Sequence, residues 1–437
     1  MTDSSRIPGF YKLSLDERRQ TIAEKSSVPY EQLAQAVASG GLDPVIADKV
    51  VENVLGVYGM PFGIALNVRI NGGDRLVPMV VEEPSVIAAA SNASRMIRAS
   101  GGFHAEMVES LMTAQVQLFR VPDSNRAIRA LEAHQDELLE LARQAAPGLL
   151  RYGGGPNCIE VRDLGRGDIV LHLLVDCQDA MGANLVNSMA EAIGPRAAEL
   201  SGGALGLRIL SNLCDRRRVR STCRVHAREL LLTRTSSGNS SRPPPPDMAG
   251  EEIIDRIVEA SRFAEIDPYR AATHNKGIMN GVDAVVLATG NDFRAVEAGA
   301  HAYAARSGQY RPLAVWRRDG SDLVGELELP LALGIVGGTL RVHPVAKLAL
   351  EILKVQSSAD LCMVAASVGL ASNLAALRAL ATEGIQRGHM SLHARSIAIA
   401  AGAVADEVEA VARTIVELGR VTLEAAEESL HALRRYP

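Results

Sequence analysis

The segment DIVLHLLVDCQDAMGANLVNSMAEAIGPRAAEL, from Asp168 to Leu200, decides the fold of the middle of the chain. It begins with an apolar strand, turns at DAMGAN (Asp179–Asn184) and continues as a long helix. Going outward, a strand, a capped amphipathic helix and another strand come before it, and the strand GLRILSN (Gly206–Asn212) follows it. This order, β-α-β-β-α-β, is that of the split ferredoxin-like arrangement. We therefore predict a compact ferredoxin-like domain over residues 114–213.

The sequence on both sides of that segment predicts a second, larger domain. Toward the N-terminus, SLDERRQTIAEK opens on the helix-capping Ser14, and two alternating strands flank the hairpin signal NGGD (Asn71–Asp74). Pro84 then suits the first position of a helix, which puts Glu83 at a strand-to-helix junction. The predicted fold class is α+β, with a large, mostly helical domain of residues 1–113 and 214–380, an inserted domain of residues 114–213, and a helical segment of residues 381–437.

Composition excludes several classes of protein. The 437 residues carry a net charge of −5 without a large basic block, which argues against nucleic acid as a partner. No apolar run approaches the roughly 20 residues of a membrane helix, and the first residues have no signal-peptide core. Five cysteines without a CxxC pair are typical of free thiols in a reducing compartment. We predict a cytoplasmic protein with no membrane partner, and interpret the cluster DRRRVR (Asp215–Arg220) as a solvated edge or a phosphate contact.

The stretch DPYRAATHNKGIMNG (Asp267–Gly281) gathers hydrogen-bonding side chains among Ala and Gly without a clean helical or strand period. A solvated loop and the wall of an active site both have this composition, because small residues let the backbone approach a ligand. The next stretch, AVVLATGND (Ala284–Asp292), predicts a buried strand. A Pro- and Ser-rich stretch at residues 232–250 predicts an exposed loop upstream of both.

Four ionisable residues stand at structural breaks beside small residues. Glu83 suits a helix dipole, Asp292 a helix N-cap, Lys276 the surface and His389 a helix start. As a set they suit carbonyl reduction: an ammonium stabilises an oxyanion, a carboxylic acid delivers a proton, a second carboxylate tunes that acid, and a histidine protonates a leaving group. His389 and His393 would share a helix face, but neither HExxH nor a third ligand accompanies them, so no metal is predicted.

Common nucleotide motifs are absent from the sequence. There is no GxGxxG after a strand and no GxxxxGK[ST]. In DAMGAN, however, Gly182 and Ala183 lie near a helix start just after a strand, where backbone amides can bind a pyrophosphate. A plain tight turn explains the same residues, and the local sequence leaves both interpretations open.

Several longer motifs resemble a known family. They are ENVLG (Glu52–Gly56), VVEEPSVIAAAS (Val80–Ser91), DAMGAN, RILSNL (Arg208–Leu213), DPYRAATHNKGIMNG, VLATGNDFRAVEAGAHAYAARSG (286–308) and ATEGIQRGHMSLHAR (381–395). Together they resemble 3-hydroxy-3-methylglutaryl-coenzyme A (HMG-CoA) reductase in its soluble class II bacterial form, over nearly the whole chain. The resemblance implies NAD(P)H-dependent, four-electron interconversion of HMG-CoA with mevalonate and free coenzyme A. Two hydride transfers through mevaldehyde would run in either the biosynthetic or the mevalonate-degrading direction.

The resemblance also implies a role for each site residue. Lys276 would stabilise the carbonyl oxygen, Glu83 would donate protons to it, Asp292 would bridge these two, and His389 would protonate the departing thiolate. The substrate-binding residues would be Asn53, Ser85, Asn212, Arg270, Thr273, Asn280 and His393. The cofactor-binding residues would be Asp179, Met181, Gly182, Ala183 and Asn184, all in the ferredoxin-like domain.

The resemblance further implies an assembly and a moving part. The large domain would bind the coenzyme A substrate and form a homodimer with shared active sites, alone or in a larger assembly of dimers. Asn53 would belong to the segment that completes the site across the dimer. Residues 381–437 would be a mobile C-terminal flap that carries His389 and closes over bound ligands.

Two features depart from the family's pattern. NAD-using members carry an aspartate after the long helix of the cofactor domain, whereas Ala146 occupies the matching position here. NAD and NADP both remain open, and the overall similarity favours NAD. The Ser- and Pro-rich insertion at residues 235–247 is the second departure and predicts a surface loop. Two other functions compete: a noncatalytic coenzyme A or nucleotide sensor on the same fold, and a Schiff-base lyase with Lys276 as nucleophile.

Overall fold

The structure, a computed structural model, describes residues 4–231, 248–382 and 385–435. The side chains of residues 39, 339, 341 and 385–392 are outside that description. The predicted loop at residues 235–247 therefore lies outside the described residues. All five cysteines are free, as the sequence predicts.

The described chain contains both strands and helices, in runs of one to five elements. The strands are β1 Phe62–Ile70, β2 Gly73–Val80, β3 Phe103–Ser110, β4 Met112–Phe119, β5 Gly155–Gly165, β6 Asp168–Asp176, β7 Ala204–Leu210, β8 Arg217–His226, β9 Ala314–Asp319 and β10 Asp322–Pro330. The helices are α1 Leu15–Ser26, α2 Tyr30–Ala36, α3 Pro44–Val50, α4 Val86–Ala99, α5 Ser124–Ala133, α6 Gln135–Ala145, α7 Pro147–Leu150, α8 Ala183–Ser201, α9 Gly250–Ile266, α10 Pro268–Ala288, α11 Phe293–Ala304, α12 Pro344–Leu353, α13 Ser358–Ala381, α14 Ile385–Ala400, α15 Asp406–Glu417 and α16 Leu423–Arg435.

The larger sheet has six strands in the order β2-β1-β3-β8-β10-β9. Its neighbours are antiparallel except for β1 and β3, which pair in parallel. Helices α4, α10 and α13 pack against it and share one continuous apolar core. The molecule is thus a mixed α+β structure.

Helix α13 is a long apolar helix of that core. Among the described residues it is the one helix long and apolar enough to cross a membrane, and 78% of its most apolar window is buried inside the protein. A core helix of a folded domain satisfies the same length and composition test, and α13 has the burial of a core helix.

A second sheet of four strands has the order β5-β6-β4-β7, with antiparallel pairing throughout. Helices α5, α6 and α8 pack on it around a separate apolar core. The chain enters this unit from β3 and leaves it into β8, and these two strands pair beside the crossing, with Ser110 opposite Arg217. Residues 112–210 therefore form an insert whose two ends are adjacent.

The predicted strand at Ala284–Asp292 is wrong, and of the two interpretations of Asp267–Gly281 the loop is excluded. Residues 268–288 form one helix, Pro268–Ala288, capped by the Asp267 side chain. The helix is packed so closely against α13 that a Cβ on Gly281 would lie 2.7 Å from the Val368 carbonyl oxygen. Because α10 is buried on several sides, it has no simple apolar stripe, and its polar residues disguise its period.

Candidate active site

The connection between β2 and α4 carries Glu83. Helix α4 begins at Val86, and Ser85 before it has a left-handed backbone with a φ of 78°. The predicted helix start at Pro84 is therefore wrong by two residues, because Ser85 cannot be helical in this conformation. The Oγ atom of Ser85 is buried and has no hydrogen-bond partner among the described residues, whereas buried hydroxyls normally have one.

Helix α10 brings two polar side chains to Glu83. Lys276 Nζ lies 2.7 Å from Glu83 Oε2, and Asn280 Nδ2 donates to the same oxygen at 3.5 Å. Lys276 and Asn280 are four residues apart, so they are neighbours on the helix surface. The Lys276 side chain is 62% exposed and that of Glu83 34%. This pair joins residues 193 positions apart and leaves the ammonium accessible to a ligand.

The accessible face of α10 collects further predicted residues. Arg270, Thr273, Lys276 and Asn280 fall within roughly a third of the helix circumference. The Arg270 guanidinium has no hydrogen bond or ion pair among the described residues, and burial lowers its pKa. A partly buried, unpaired guanidinium is suited to a carboxylate, which its two parallel N–H groups can hold.

The inner face of α10 holds the helix in place. His274 is buried and its Nε2 lies 3.1 Å from the Ala314 carbonyl oxygen, while burial lowers its pKa to about 4. Asn275 donates to the Arg311 carbonyl and accepts from the Leu313 amide, both at 2.9 Å. The polar residues of Asp267–Gly281 thus divide into an accessible set and an anchoring set.

Asp292 begins α11, immediately after α10. Its Oδ1 accepts from the amides of Arg294 and Ala295 at 3.1 Å, so it is an N-cap as well as a site candidate. Among the described residues, no hydrogen bond or ion pair joins it to Glu83 or Lys276. The Oδ2 atom accepts no hydrogen bond from the described chain and is free to accept one from a ligand.

A second carboxyl pair lies between α10 and α11. The Asp283 carboxyl donates to Glu297, which also receives a charged hydrogen bond from His301. Burial and the neighbouring Glu297 raise the pKa of Asp283, whereas the His301 contact lowers that of Glu297. The sequence reasoning missed this pair.

The predicted cofactor turn connects β6 to α8. Gly182 has a φ of 95°, and a Cβ added there would lie 2.3 Å from Cys177 Sγ. No side chain caps the start of α8 at Ala183, which leaves amides of its first turn for a ligand. Asp179 does not point its Oδ1 at such a ligand, because that atom accepts from the Ser358 amide at 2.8 Å. Asn184 is exposed and Met181 is partly buried beside the turn.

Comparison with known proteins identifies the family to which this fold belongs. The hydroxymethylglutaryl-coenzyme A reductase family model matches residues 14–394. The chain belongs to the HMG-CoA reductase family. The 3-hydroxy-3-methylglutaryl-coenzyme A reductase of Archaeoglobus fulgidus is 48% identical over 435 residues, which are 99% of this chain and 95% of that protein.

Solved structures agree with this assignment. HMG-CoA reductase from Streptococcus pneumoniae superposes with a TM-score of 0.80 at 40% identity, over 98% of this chain and 99% of that one. A class II HMG-CoA reductase from the same organism, bound to NADPH in open conformations, gives a TM-score of 0.79 at 40% identity, over 85% and 99% of the two chains. The chain is a class II, bacterial-type HMG-CoA reductase by family, and its activity is that of an oxidoreductase acting on HMG-CoA.

The C-terminal helices of this family member contain the two predicted histidines. His389 lies within α14, and its side chain is outside the described part of the chain. His393 is on the same helix and exposed. Helices α14, α15 and α16 pack around an apolar core of their own. The histidines are therefore carried by a unit that is packed separately from α10.

Two predicted substrate residues lie apart from Glu83 in the chain. Asn53 is exposed, with a φ of 57°, in the segment after α3. Asn212 lies exposed between β7 and β8, and its carbonyl oxygen is so close to α11 that a Cβ on Gly299 would lie 2.6 Å away. No hydrogen bond from either side chain to the described residues is present, so both amides are available.

A cleft of about 1320 Å³ opens beside Glu83 and Ser85. Four arginines, Arg6, Arg18, Arg19 and Arg95, are among the residues that line it. They come from three separate segments and share no motif, so the sequence reasoning did not select them. A cleft that joins a reactive carboxylate to several cations suits a long anionic ligand.

Ala146 ends α6 and is 5% exposed, packed in the core of the smaller unit. The Ala146 side chain therefore cannot take the place of a surface carboxylate. Across the described residues, no group of three or more His, Cys, Asp and Glu side chains is placed to hold a metal ion.

Proposed function

We propose that this chain reduces HMG-CoA to mevalonate and free coenzyme A, consuming two NAD(P)H and two protons. The contact between Lys276 and Glu83, on the face that also presents Arg270 and Asn280, carries the proposal. A cation, a proton source and an unpaired guanidinium stand together, as a thioester with a distant carboxylate requires. The dinucleotide supplies hydride to the carbonyl carbon. The same site supports the reverse direction, because each group acts reversibly.

Lys276 stabilises the carbonyl oxygen as negative charge develops on it. Its ammonium is accessible and is oriented by Glu83 and by its place on a buried helix. Glu83 shares a proton with that oxygen, directly or through Lys276, at each reduction step. Removal of one such stabilising contact typically costs about 2.7–4 kcal/mol of barrier. Asp292 bridges Glu83 and Lys276 when substrate is bound, and its free Oδ2 supports this role.

Substrate recognition uses the side chains around this pair. Arg270 binds the free carboxylate of the hydroxymethylglutaryl group, with Thr273, Ser85 and Asn212 as further hydrogen-bonding partners. The unpartnered Ser85 Oγ supports its role as a ligand contact. The arginine-lined cleft holds the phosphates of coenzyme A. His389 protonates the leaving thiolate, with His393 beside it, when the flap of residues 381–437 closes.

The smaller unit is the cofactor domain, with ferredoxin-like topology over residues 114–213. The exposed helix start at Ala183 and the absence of a Cβ at Gly182 fit a pyrophosphate at the turn. Met181, Asn184 and the backbone of Asp179 surround it. The similar class II enzyme from Streptococcus pneumoniae is bound to NADPH, and the overall resemblance favours NADH, so both are cofactor candidates. Ala146 offers no carboxylate to exclude a 2′-phosphate.

The large domain, residues 1–113 and 214–380, forms a homodimer that shares its active sites. Leu55 and Tyr58 beside Asn53 are almost fully exposed, although large apolar side chains of this kind are usually covered. A second copy that covers them would bring its Asn53 segment to the site. We place the enzyme in the cytoplasm.

The test is a direct assay with HMG-CoA, NADH and NADPH in parallel, followed at the nicotinamide absorbance band. Oxidation of either dinucleotide, lost in Lys276→Ala, supports the proposal and assigns the cofactor. A folded dimer that oxidises neither would overturn it, and borohydride trapping of a carbonyl substrate on Lys276 would then identify a lyase. Binding of coenzyme A without turnover or trapping would identify a sensor.

A further inference from the structure

A buried arginine lies directly beneath the proposed dinucleotide turn. Arg217 is the first residue of β8 and is 1% exposed, whereas Arg216 and Arg218 on either side form partly exposed ion pairs with Glu109. The cluster DRRRVR is therefore not a uniform solvated edge. One of its arginines has been taken into the interior.

The Arg217 guanidinium holds three separate segments together. Its Nη1 donates to the carbonyl oxygens of Ala180 and Met181 at 3.1 and 3.2 Å. Its Nη2 donates to the Leu333 carbonyl at 2.8 Å, to Ser358 Oγ at 3.0 Å and to the Gln178 carbonyl at 3.4 Å. The cofactor turn, the loop after β10 and the start of α13 all converge on this one side chain.

The charge of Arg217 is not matched by a carboxylate. Among the described residues it has no ion pair within 4.0 Å, and its buried Nε has no hydrogen-bond acceptor. A buried cation with only carbonyl and hydroxyl dipoles around it is costly unless a further negative charge comes near. Helix α8 begins at Ala183, two residues after Met181, and its start is not capped by a side chain. The helix start therefore adds a partial positive charge close to the same carbonyl groups.

The loop held by Arg217 also reaches the substrate half. The Asn291 side chain accepts from the Gly334 amide at 2.8 Å and donates to its carbonyl at 3.1 Å. Gly334 lies against the turn, where a Cβ would be 2.5 Å from the Met181 nitrogen. Asn291 directly precedes Asp292. One short chain of contacts therefore connects Arg217, the cofactor turn and the N-cap of α11.

We propose that Arg217 is a positioning residue for the dinucleotide: it fixes the carbonyl groups of residues 178–181 and its unpaired charge favours the pyrophosphate at the start of α8. This inference rests on the proposed function, since it requires a dinucleotide at that turn. Arg217 itself does not contact the reacting atoms. It acts on cofactor affinity through the turn and through the field at α8.

The experiment compares Arg217→Lys and Arg217→Met with the control Arg216→Lys, at the neighbouring, partly exposed arginine. The Kd values of NADH and NADPH are measured by fluorescence titration, with ADP-ribose as a probe that keeps the pyrophosphate. We expect the dinucleotide and ADP-ribose Kd to rise by about tenfold or more in Arg217→Lys, which keeps the charge but loses the fork. Arg217→Met loses both the charge and the fork, so its Kd values for the dinucleotide and ADP-ribose should rise further. The KM for HMG-CoA should stay within about twofold, and Arg216→Lys should match the wild type.

A merely structural role would raise the dinucleotide Kd and the KM for HMG-CoA together, and that result would overturn the inference. An unchanged dinucleotide Kd would overturn it as well. If the Arg217 variants do not fold, Ser358→Ala tests the same contacts, because it removes one acceptor of the guanidinium and one donor to Gln178. It should raise the dinucleotide Kd by about two- to fivefold, and no change overturns the inference. Wild-type protein that oxidises neither dinucleotide overturns the proposed function instead, whereas wild-type turnover with unchanged Kd in the variants overturns this inference alone.

Discussion

The two halves of the site use the chain in different ways. Around α10, side chains keep unused hydrogen-bonding groups: the Ser85 hydroxyl and the Arg270 guanidinium have no partner among the described residues, and Asp292 uses one oxygen. At the cofactor turn the side chains already have hydrogen-bond partners within the protein. Asp179 accepts from the Ser358 amide at the start of α13, and Arg217 donates to carbonyl groups of the turn. A substrate therefore meets side chains, whereas the dinucleotide meets backbone.

This difference has a physical consequence for each half. Side chains discriminate among substrates because each can be matched to one group of the ligand. Backbone amides at a helix start bind any pyrophosphate, and their placement depends on glycine and on buried supports. Changes of side chain should be most damaging near α10, and an added Cβ should be most damaging at the turn.

The largest expected effect is at Lys276. In Lys276→Ala, kcat should fall by about 10²–10³-fold because the developing oxyanion loses its cation. The dinucleotide Kd should stay within about twofold, since the turn is untouched. Stopped-flow and titration measurements on the same samples separate the two. The exposed Lys347→Ala is the matched control, and a kcat for Lys276→Ala within tenfold of the wild type would contradict the proposed chemistry.

The next effect concerns substrate affinity. Arg270→Ala should raise the KM for HMG-CoA by roughly ten- to hundredfold, because a charged bidentate hydrogen bond is lost. Arg270→Lys should recover only part of this loss, since a lysine cannot replace the fork. The KM for the dinucleotide should not change. Arg262→Ala, an exposed arginine on α9, is the control, and a shift in both KM values for Arg270→Ala would show a general defect in folding.

The backbone side of the comparison is tested at Gly182. A methyl group there meets Cys177 Sγ and strains a φ of 95°, so Gly182→Ala should raise the dinucleotide KM by about tenfold with the HMG-CoA KM unchanged. Gly148→Ala is the control in the same unit, since nothing lies within 4 Å of its added Cβ. Adding Cys177→Ala should restore part of the affinity. Equal KM values for Gly182→Ala and the wild type would show that the turn does not bind the dinucleotide.

The smallest effect is on stability and concerns Asp283. Its pKa is higher in the folded than in the unfolded protein, so the folded state holds a proton that the unfolded state releases above about pH 4. The contribution of Asp283 to stability is therefore lost as pH rises toward its folded pKa, by at most about 1.4 kcal/mol for each pH unit. Asp283→Asn cannot ionise and still donates to Glu297.

Thermal unfolding between pH 6 and pH 9 checks this expectation. The Tm of Asp283→Asn should increase relative to that of the wild type as pH rises. The Tm of the exposed Asp48→Asn should change with pH in the same way as that of the wild type. A constant difference between Asp283→Asn and the wild type would show that Asp283 is already ionised at pH 6. This pair of carboxyl groups, which shares a proton, contrasts with Glu83 and Lys276, where opposite charges meet.

Local signals in the sequence predicted local structure well. Ser14 and Glu17 form the capping box that starts α1, and NGGD connects β1 and β2 as predicted. Such signals involve atoms a few residues apart, so no tertiary contact is needed to interpret them. The pairing of Glu83 with Lys276 involves distant segments, and only the family resemblance indicated it.

The failures have a common cause in burial. Helix α10 lacks an apolar stripe because His274 and Asn275 are buried with their own partners, so its period is hidden. Arg217 looks like Arg216 and Arg218 in sequence, although one signal could have singled it out. It is in phase with Val219, and every second residue of β8 faces inward. Alternation in a strand predicts burial even when the residue is charged.

The adjacency of Ser110 and Arg217 has a consequence for how this architecture can be altered. Opposed residues of antiparallel strands have Cα atoms about 4.5–5.5 Å apart, so a tight turn of two or three residues could join β3 to β8 directly. The whole unit between them could then be excised, exchanged for a homologous one or used as a graft without stretching the larger sheet. In such an exchange the recipient protein must keep Arg217. This residue holds the cofactor turn of the exchanged unit, although it lies outside that unit in β8.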